Sequence, residues 1–394
     1  MPLQIYDPRE RALVRTADAA LGIVATLARP LRRRVRPASP SRILLLRLER
    51  IGDLLMALPG IAGVRELALA ARIDLVVGSW NADLARGIPS VDRVITLDAA
   101  WLSREKDGHS LAALLRAARG WRHQHYDIGI NFEPDIRSNL ILAASGAQWT
   151  AGYSSGGGGA VLDQALEFDP RSHTSENARR LVSAVFGASV SGNPALLKVP
   201  EDERLRARTM LGNVSRPIVA MHVSGGRPVK QWDPARFADV ARRLVSSRGA
   251  TLLLTGSPSD AALIQQVTRG LPDGSFIDAS STVSLLTLAA LLEQADLMVT
   301  GDSGPMHIAA AVGTPIVAVF GPSDPRRYAP NGSRDRVVRV DLPCAPCNRI
   351  RLPPARCTGV IPDCLALVSA DRVYETAASV LDQCPPSSAR GASA

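Results

Sequence analysis

Three short stretches carry residue types that could do chemistry. In "VTGDSGPMHIAAAVGTPIVAVFGPSDP", 299–325, Asp302, Ser303, Gly304, Pro305 and His307 follow an apolar run. Small residues opening a helix leave backbone N–H groups available, and the helix dipole favours negative charge there. Asp302 would accept sugar hydroxyls or orient a neighbouring N–H. A capped helix with a surface histidine explains the same letters. A nucleophilic Ser303 is a poor reading, because the G-x-S-x-G elbow is missing.

The second stretch is "HVSGGRPVKQWDPARF", 222–237. Ser224, Gly225 and Gly226 can offer backbone donors, and Arg227 and Lys230 add positive charge, a set that suits a diphosphate. No lysine-serine or lysine-threonine pair follows the glycines, so this is not a Walker motif. A solvated turn with Trp232 packed on the next helix is the plainer alternative. The third stretch is "LRLERIGD", 46–53. Gly52 permits a tight turn and close backbone approach to a ligand. Asp53 either caps the following helix or acts as a general base.

The elements that must position these residues are legible as runs. "RILLLRL", "IDLVVG", "VDRVITL" and "YDIGINF" read as buried strands separated by helical patterns. From 191 to 216 the pattern loosens, then restarts with "PIVAMHV", "ATLLLTG", "DLMVTG" and a last strand, "PIVAVFG". The expectation is α/β, with two facing Rossmann-like halves, parallel sheets and a cleft between them. The divisions expected are a basic extension 1–41, a first domain 42–195, a second domain 196–383 and a disordered tail 384–394. "GYSSGGGGA" at 152–160 is a glycine loop, either flexible or pressed against another segment.

A chain of 394 residues with 46% apolar content can bury two cores. Its net charge is +9, and residues 1–40 hold eight arginines against three acids. That balance permits anionic lipid or phosphorylated ligands. Nucleic acid is set aside, because no aromatic residues interleave with the basic ones. No signal-peptide order is read at the start. "AALGIVATLA", 19–28, is too short to span a bilayer. It reads as a docking helix with a basic tail or as an amphipathic helix on an anionic membrane.

Four of five cysteines fall in "CAPCNRIRLPPARCTGVIPDC", spaced C-x2-C-x9-C-x6-C at Cys344, Cys347, Cys357 and Cys364. Four thiolates so placed can hold a structural zinc or iron. Reduced structural cysteines and disulfides are the alternatives. Four sulfurs would leave no open coordination position for a catalytic role.

With these motifs together, the chain resembles glycosyltransferase family 9, the bacterial ADP-heptose heptosyltransferases. "ILLLRLERIGDLLMALPGI", "MHVSGGRPVKQWDPARFADVARRL" and "DLMVTGDSGPMHIAAAVGTPIVAVFGPSDPRRYAP" carry the resemblance, which runs from about 42 to 383. It implies a GT-B fold and inverting transfer that needs no catalytic cofactor. The implied donor is an ADP-linked heptose. The implied acceptor is a lipopolysaccharide core or related glycan, on the cytoplasmic side and in peripheral contact with the inner membrane. Asp53 matches the family's base. Gly225, Gly226, Lys230, Trp232, Asp302, Ser303, Gly304 and His307 match donor positions, and Gly52, Arg137 and Ser138 acceptor-side positions. The cysteine run departs from ordinary core enzymes. It is similar to that of heptosyltransferases that modify autotransporter proteins, which keeps a protein acceptor open. A non-catalytic nucleotide-sugar-binding assembly protein is the rival of another class.

Overall fold

The computed structural model describes residues 3–5, 7–28, 34–103, 108–191, 197–280 and 283–383. The expected tail 384–394 lies outside them. The chain divides into two units, Met1–Ala195 and Leu196–Ala394.

The N-terminal unit runs α1 (Pro8–Ala28), β1 (Arg42–Leu46), α2 (Ile51–Leu67), β2 (Arg72–Val77), α3 (Ala82–Arg86), β3 (Arg93–Thr96), α4 (Leu111–Gly120), β4 (Ile128–Asn131), α5 (Ile136–Ala144), β5 (Trp149–Tyr153), β6 (Gln164–Leu166) and α6 (Thr174–Phe186). Its strands form one sheet in the order β3-β2-β1-β4-β5-β6, and every pairing is parallel. Strands buried on both faces must be apolar throughout, which is why "RILLL" shows no alternation. The order reverses between β1 and β4. In doubly wound sheets that point opens a crevice beyond the carboxyl ends of the strands.

The C-terminal unit runs α7 (Glu201–Leu211), β7 (Ile218–His222), α8 (Pro234–Arg248), β8 (Thr251–Thr255), α9 (Ala261–Thr268), β9 (Phe276–Asp278), α10 (Leu285–Gln294), β10 (Leu297–Gly301), α11 (Gly304–Ala311), β11 (Ile316–Val319), α12 (Pro325–Tyr328), β12 (Arg336–Val338), α13 (Asp363–Ala366) and α14 (Ala370–Asp382). Its parallel sheet has the order β12-β11-β10-β7-β8-β9, reversing between β7 and β10. "PIVAVFG" is not the last strand, because β12 pairs beside β11. Each half of α/β pattern thus closes one six-stranded sheet.

The glycine loop is a close approach. A Cβ at Gly156 would overlap the carbonyl of Pro134, and one at Gly157 would meet Val14 of α1 at 2.7 Å. Gly157 and Gly158 also hold positive φ, 88° and 74°, which side chains disfavour.

Candidate functional site

At the switch point of the C-terminal unit, two loops meet. The loop after β7 turns through Ser224–Gly226 into a short 3-10 turn, Pro228–Lys230. The loop after β10 delivers Asp302 and starts α11. Lys230 Nζ lies 2.8 Å from Asp302 Oδ2, joining the two. Burial alone would raise the Asp302 carboxyl, but Lys230, Ser323 and His307 outweigh it and hold it below the ordinary carboxylate range. Asp302 is therefore a fixed anion with a cation beside it.

Ser303 is the N-cap of α11. Its Oγ accepts the Met306 N–H at 3.4 Å and lies 3.1 Å from the Thr300 hydroxyl. Proline at the second helical position has no N–H to leave unsatisfied. Gly304 and the rest of the first turn keep the donor character of a helix start. His307 is buried one turn in.

The turn after β7 is built by Gln231, which the sequence did not flag. Its amide oxygen takes the Gly225 N–H at 2.8 Å, and its NH2 donates to Val223 and Trp232 carbonyls at 2.6 and 2.8 Å. The Gly226 N–H donates to Ser224 Oγ at 3.3 Å. These two glycine N–H groups, expected as ligand donors, are thus engaged inside the turn. What Gly225 supplies is room: a Cβ there would sit 2.6 Å from the Lys230 carbonyl carbon. Gly226 supplies a positive φ of 67°.

Trp232 does not line the site. It is 1% exposed, stacks edge-on against Phe237 with centroids 4.7 Å apart, and donates its indole N–H to the Val368 carbonyl. An indole is large and apolar with one polar tip, so a core with one acceptor satisfies it. It fastens α8 to the segment before α14.

The four cysteines are in no disulfide and lie around one cavity of about 180 Å³, also lined by Val229 and Pro322. Among the described residues no group of three or more His, Cys, Asp or Glu side chains is placed to hold a metal ion. Burial and the neighbouring cysteines push the Cys364 thiol up to about 11. The segment does brace the site. The Cys347 and Asn348 N–H groups donate to the Pro322 carbonyl, and Asn348 Oδ1 accepts the Asp324 N–H at 2.8 Å. Ser323, in that same loop, contacts Asp302.

The switch point of the N-terminal unit gathers charge. Asp53 lies in the first turn of α2, with Gly52 beside it, and its carboxylate accepts the Arg50 N–H at 3.3 Å. It caps the helix, yet its side chain remains 32% exposed, so capping leaves the carboxylate open to a substrate. Arg47, buried at the end of β1, reaches Asp53 Oδ1 at 3.4 Å and Glu49 at 3.0 Å. The same guanidinium donates to the Asp53 carbonyl at 3.0 Å and the Phe132 carbonyl at 2.6 Å. Glu133 accepts the N–H groups of Leu48 and Glu49. Burial pushes the Glu133 carboxyl up to about 7 against the pull of Arg47. Burial, with Asp53 adding to it, pushes Glu49 up to about 8 against the same cation. Arg47, Glu49 and Glu133 were missed in sequence. The signal was a buried strand ending in charged letters.

Arg137 forms a two-pronged pair with Asp135, at 3.0 and 2.5 Å, and lies over the Trp101 ring. Ser138 is 1% exposed. Its hydroxyl donates to the Asp135 carbonyl and accepts from Asn131. Ser138 therefore holds the start of α5 in place and does not face a ligand.

Two doubly wound parallel units, each with charged residues at its strand reversal, make up the α/β architecture, and the fold is GT-B. The family model for glycosyltransferase family 9 (heptosyltransferase) matches residues 114–353, and the chain belongs to that family. A curated relative, the lipopolysaccharide core heptosyltransferase OpsX of Haemophilus influenzae, is 22% identical over 308 residues, covering 77% of this chain and 85% of the relative. Among solved structures, the glycosyl transferase family 9 protein of Veillonella parvula superposes with a TM-score of 0.76 at 24% identity, covering 87% of this chain and 98% of that one. The E. coli ADP-heptose lps heptosyltransferase II gives a TM-score of 0.71 at 21% identity, covering 87% and 99%.

Proposed function

We propose that the chain is an inverting heptosyltransferase that moves a heptose from an ADP-linked donor to a lipopolysaccharide core or related glycan. The observation that carries this reading is the Lys230–Asp302 pair, 2.8 Å apart, beside the start of α11 at the strand reversal. Lys230 and the α11 N-terminus hold the donor diphosphate, Gly225 and Gly226 shape the turn that brings Lys230 there, and Ser303 and Gly304 form the rim of the seat. Asp302 and His307 meet the sugar and its phosphate. The Asp53 carboxylate takes the acceptor hydroxyl proton. The acceptor oxygen then bonds to the anomeric carbon as the bond from that carbon to the β-phosphate oxygen breaks, and ADP leaves with the electron pair. Positive charge and backbone dipoles at the leaving group stabilise that departure. Gly52 and Arg137 serve the acceptor side. The reaction needs no metal in this scheme.

The relatives' names support heptose and lipopolysaccharide. A lipid-linked core acceptor supports work on the cytoplasmic side, in peripheral contact with the inner membrane. The four cysteines support a separate, structural proposal. Sulfurs lining one cavity, beside a loop that touches Asp302, suit a zinc or iron brace, and binding would require the segment to draw in around the ion. Elemental analysis of purified protein tests this: about one equivalent is expected, and none would remove the brace.

The test of function is nucleoside diphosphate release from a panel of nucleotide sugars, with and without acceptor. Release from ADP-heptose that depends on a core glycan supports the reading. Release that depends on a protein acceptor replaces the glycan, and binding without release in all arms makes the chain a non-catalytic binder.

A further inference from the structure

Helix α1 has two faces with opposite fates. One face is tied to the N-terminal unit. Val14 is buried against Gly157, and Asp18 accepts the Gly158 N–H at 2.6 Å. The chain before it is tied down at Gln4 as well, with the Gln4 N–H donating to the Ser155 carbonyl at 2.8 Å and the Gln4 amide to the Phe168 carbonyl at 2.7 Å. The other face carries Leu13, Ile23, Val24 and Leu27, exposed at 72, 65, 63 and 74%. Leu13, the exposed Ala20 and Leu27 are seven residues apart, nearly two turns, so they share one stripe along the helix. Apolar side chains this exposed, in line on one helix, ask for a partner.

The charges choose the partner. The three acids of residues 1–40 are all in this helix or at its start, and all are engaged within the chain. Asp7 accepts the Arg9 N–H at 2.8 Å, Glu10 lies 3.8 Å from Arg137, and Asp18 holds Gly158. Arg9, Arg11 and Arg15 are exposed. Residues 19–28 carry no charge. A second copy of α1 would therefore bring arginines toward arginines with no exposed, unengaged acid to answer them. An anionic lipid surface answers both features, taking the apolar stripe into its acyl boundary and Arg9, on the same side of the helix, among its headgroups.

We infer that α1 is a docking helix for an anionic membrane surface, which lies flat on it through the Leu13–Leu27 stripe. The helix lies outside the residues matched by the family model. Its linkage matters for function. The Glu10–Arg137 pair and the Gly157–Gly158 contacts join α1 to α5, the element that carries the acceptor-side arginine. Docking therefore sets α5 against the lipid surface. The purpose assigned here rests on the lipid-linked acceptor proposed above, but the binding itself does not.

The test is co-sedimentation of the full chain with phosphatidylcholine vesicles, with and without phosphatidylglycerol, at low and high salt and without donor or acceptor. The full chain is expected to bind only the phosphatidylglycerol vesicles and to be released by salt. Replacing Arg9, which shares the stripe's side of the helix, by alanine weakens binding roughly fivefold. The triple variant Leu13→Glu, Ile23→Glu, Leu27→Glu loses binding while its melting curve and its transfer to a soluble, delipidated acceptor are unchanged, because Val14 and Asp18 are left intact. Three results would overturn the inference. They are no binding of the unaltered chain to anionic vesicles, equal binding by the triple variant, or a dimer in light scattering that the triple variant splits in the absence of any vesicle binding. Failure of glycosyl transfer in every variant, with vesicle binding retained, would sink the functional reading and leave the docking helix standing.

Discussion

At the residue scale, two carboxylates have opposite surroundings. Asp302 keeps its charge because Lys230 sits beside it, while Glu133 is pushed toward holding a proton by burial. A carboxyl whose folded value is raised contributes its full stability below the unfolded value and loses it as pH rises through the folded value, here about 7. Glu133→Gln keeps an oxygen for the Leu48 and Glu49 N–H groups and cannot ionise. Its stability relative to the unaltered chain should rise between about pH 5 and about pH 8, on the order of 1 kcal/mol, measured as a shift in denaturation midpoint. A pH-independent difference would show that Glu133 is ionised throughout. For Asp302 the sign is reversed: its contribution is present above the ordinary carboxylate range and fades only as pH falls through its lowered value. Lys230→Ala leaves that anion uncompensated, and should cost about 10²–10³ in kcat through the lost leaving-group cation, together with weaker donor binding by calorimetry. Retained kcat would detach Lys230 from the chemistry.

At the element scale, the turns decide where these side chains go. Gly225→Ala places a Cβ 2.6 Å from the Lys230 carbonyl carbon, so the turn must open and Lys230 must move. The expected result is a loss of about 1–3 kcal/mol in stability with a larger loss in donor affinity, read by thermal melting and calorimetry. A variant that binds donor normally would show that the turn does not set Lys230. These elements differ in how well letters announce them. Buried parallel strands are apolar runs bounded by turns, so β1, β2, β4, β7, β8, β10 and β11 could be read directly. The short edge strands β6, β9 and β12 have three residues each and leave too little pattern. Helix α7, Glu201–Leu211, lies in the stretch that read as loose because its surface is mostly charged and only Ala207 and Leu211 are buried. Helix α1 runs from Pro8, well before its apolar portion, since its first half is held by contacts and not by composition.

At the scale of the whole molecule, the duplication of a six-stranded parallel sheet follows from the two runs of strand and helix pattern in sequence. The positions of Asp53, Lys230 and Asp302 at strand reversals were legible for the same reason: each follows a readable strand and a small-residue turn. Arg47, Glu49 and Glu133 were not, because their meeting depends on β1 and β4 being neighbours, which letters 85 residues apart do not state. Trp232 misled for the opposite reason, since a motif that marks a site also contains the residue that packs behind it. The cysteine segment was visible as a cluster, but its contact with the loop of Ser323 was not.

The central claim is that Asp53 is the base of a heptosyl transfer whose donor is held by Lys230 and the start of α11. The most direct measurement is ADP release from ADP-heptose by the unaltered chain and by Asp53→Asn, with and without a core glycan acceptor, alongside donor binding by calorimetry. The account predicts acceptor-dependent release by the unaltered chain, a fall of about 10²–10⁴ in kcat for the variant, and donor affinity unchanged within a few-fold. Undiminished release by Asp53→Asn would contradict it.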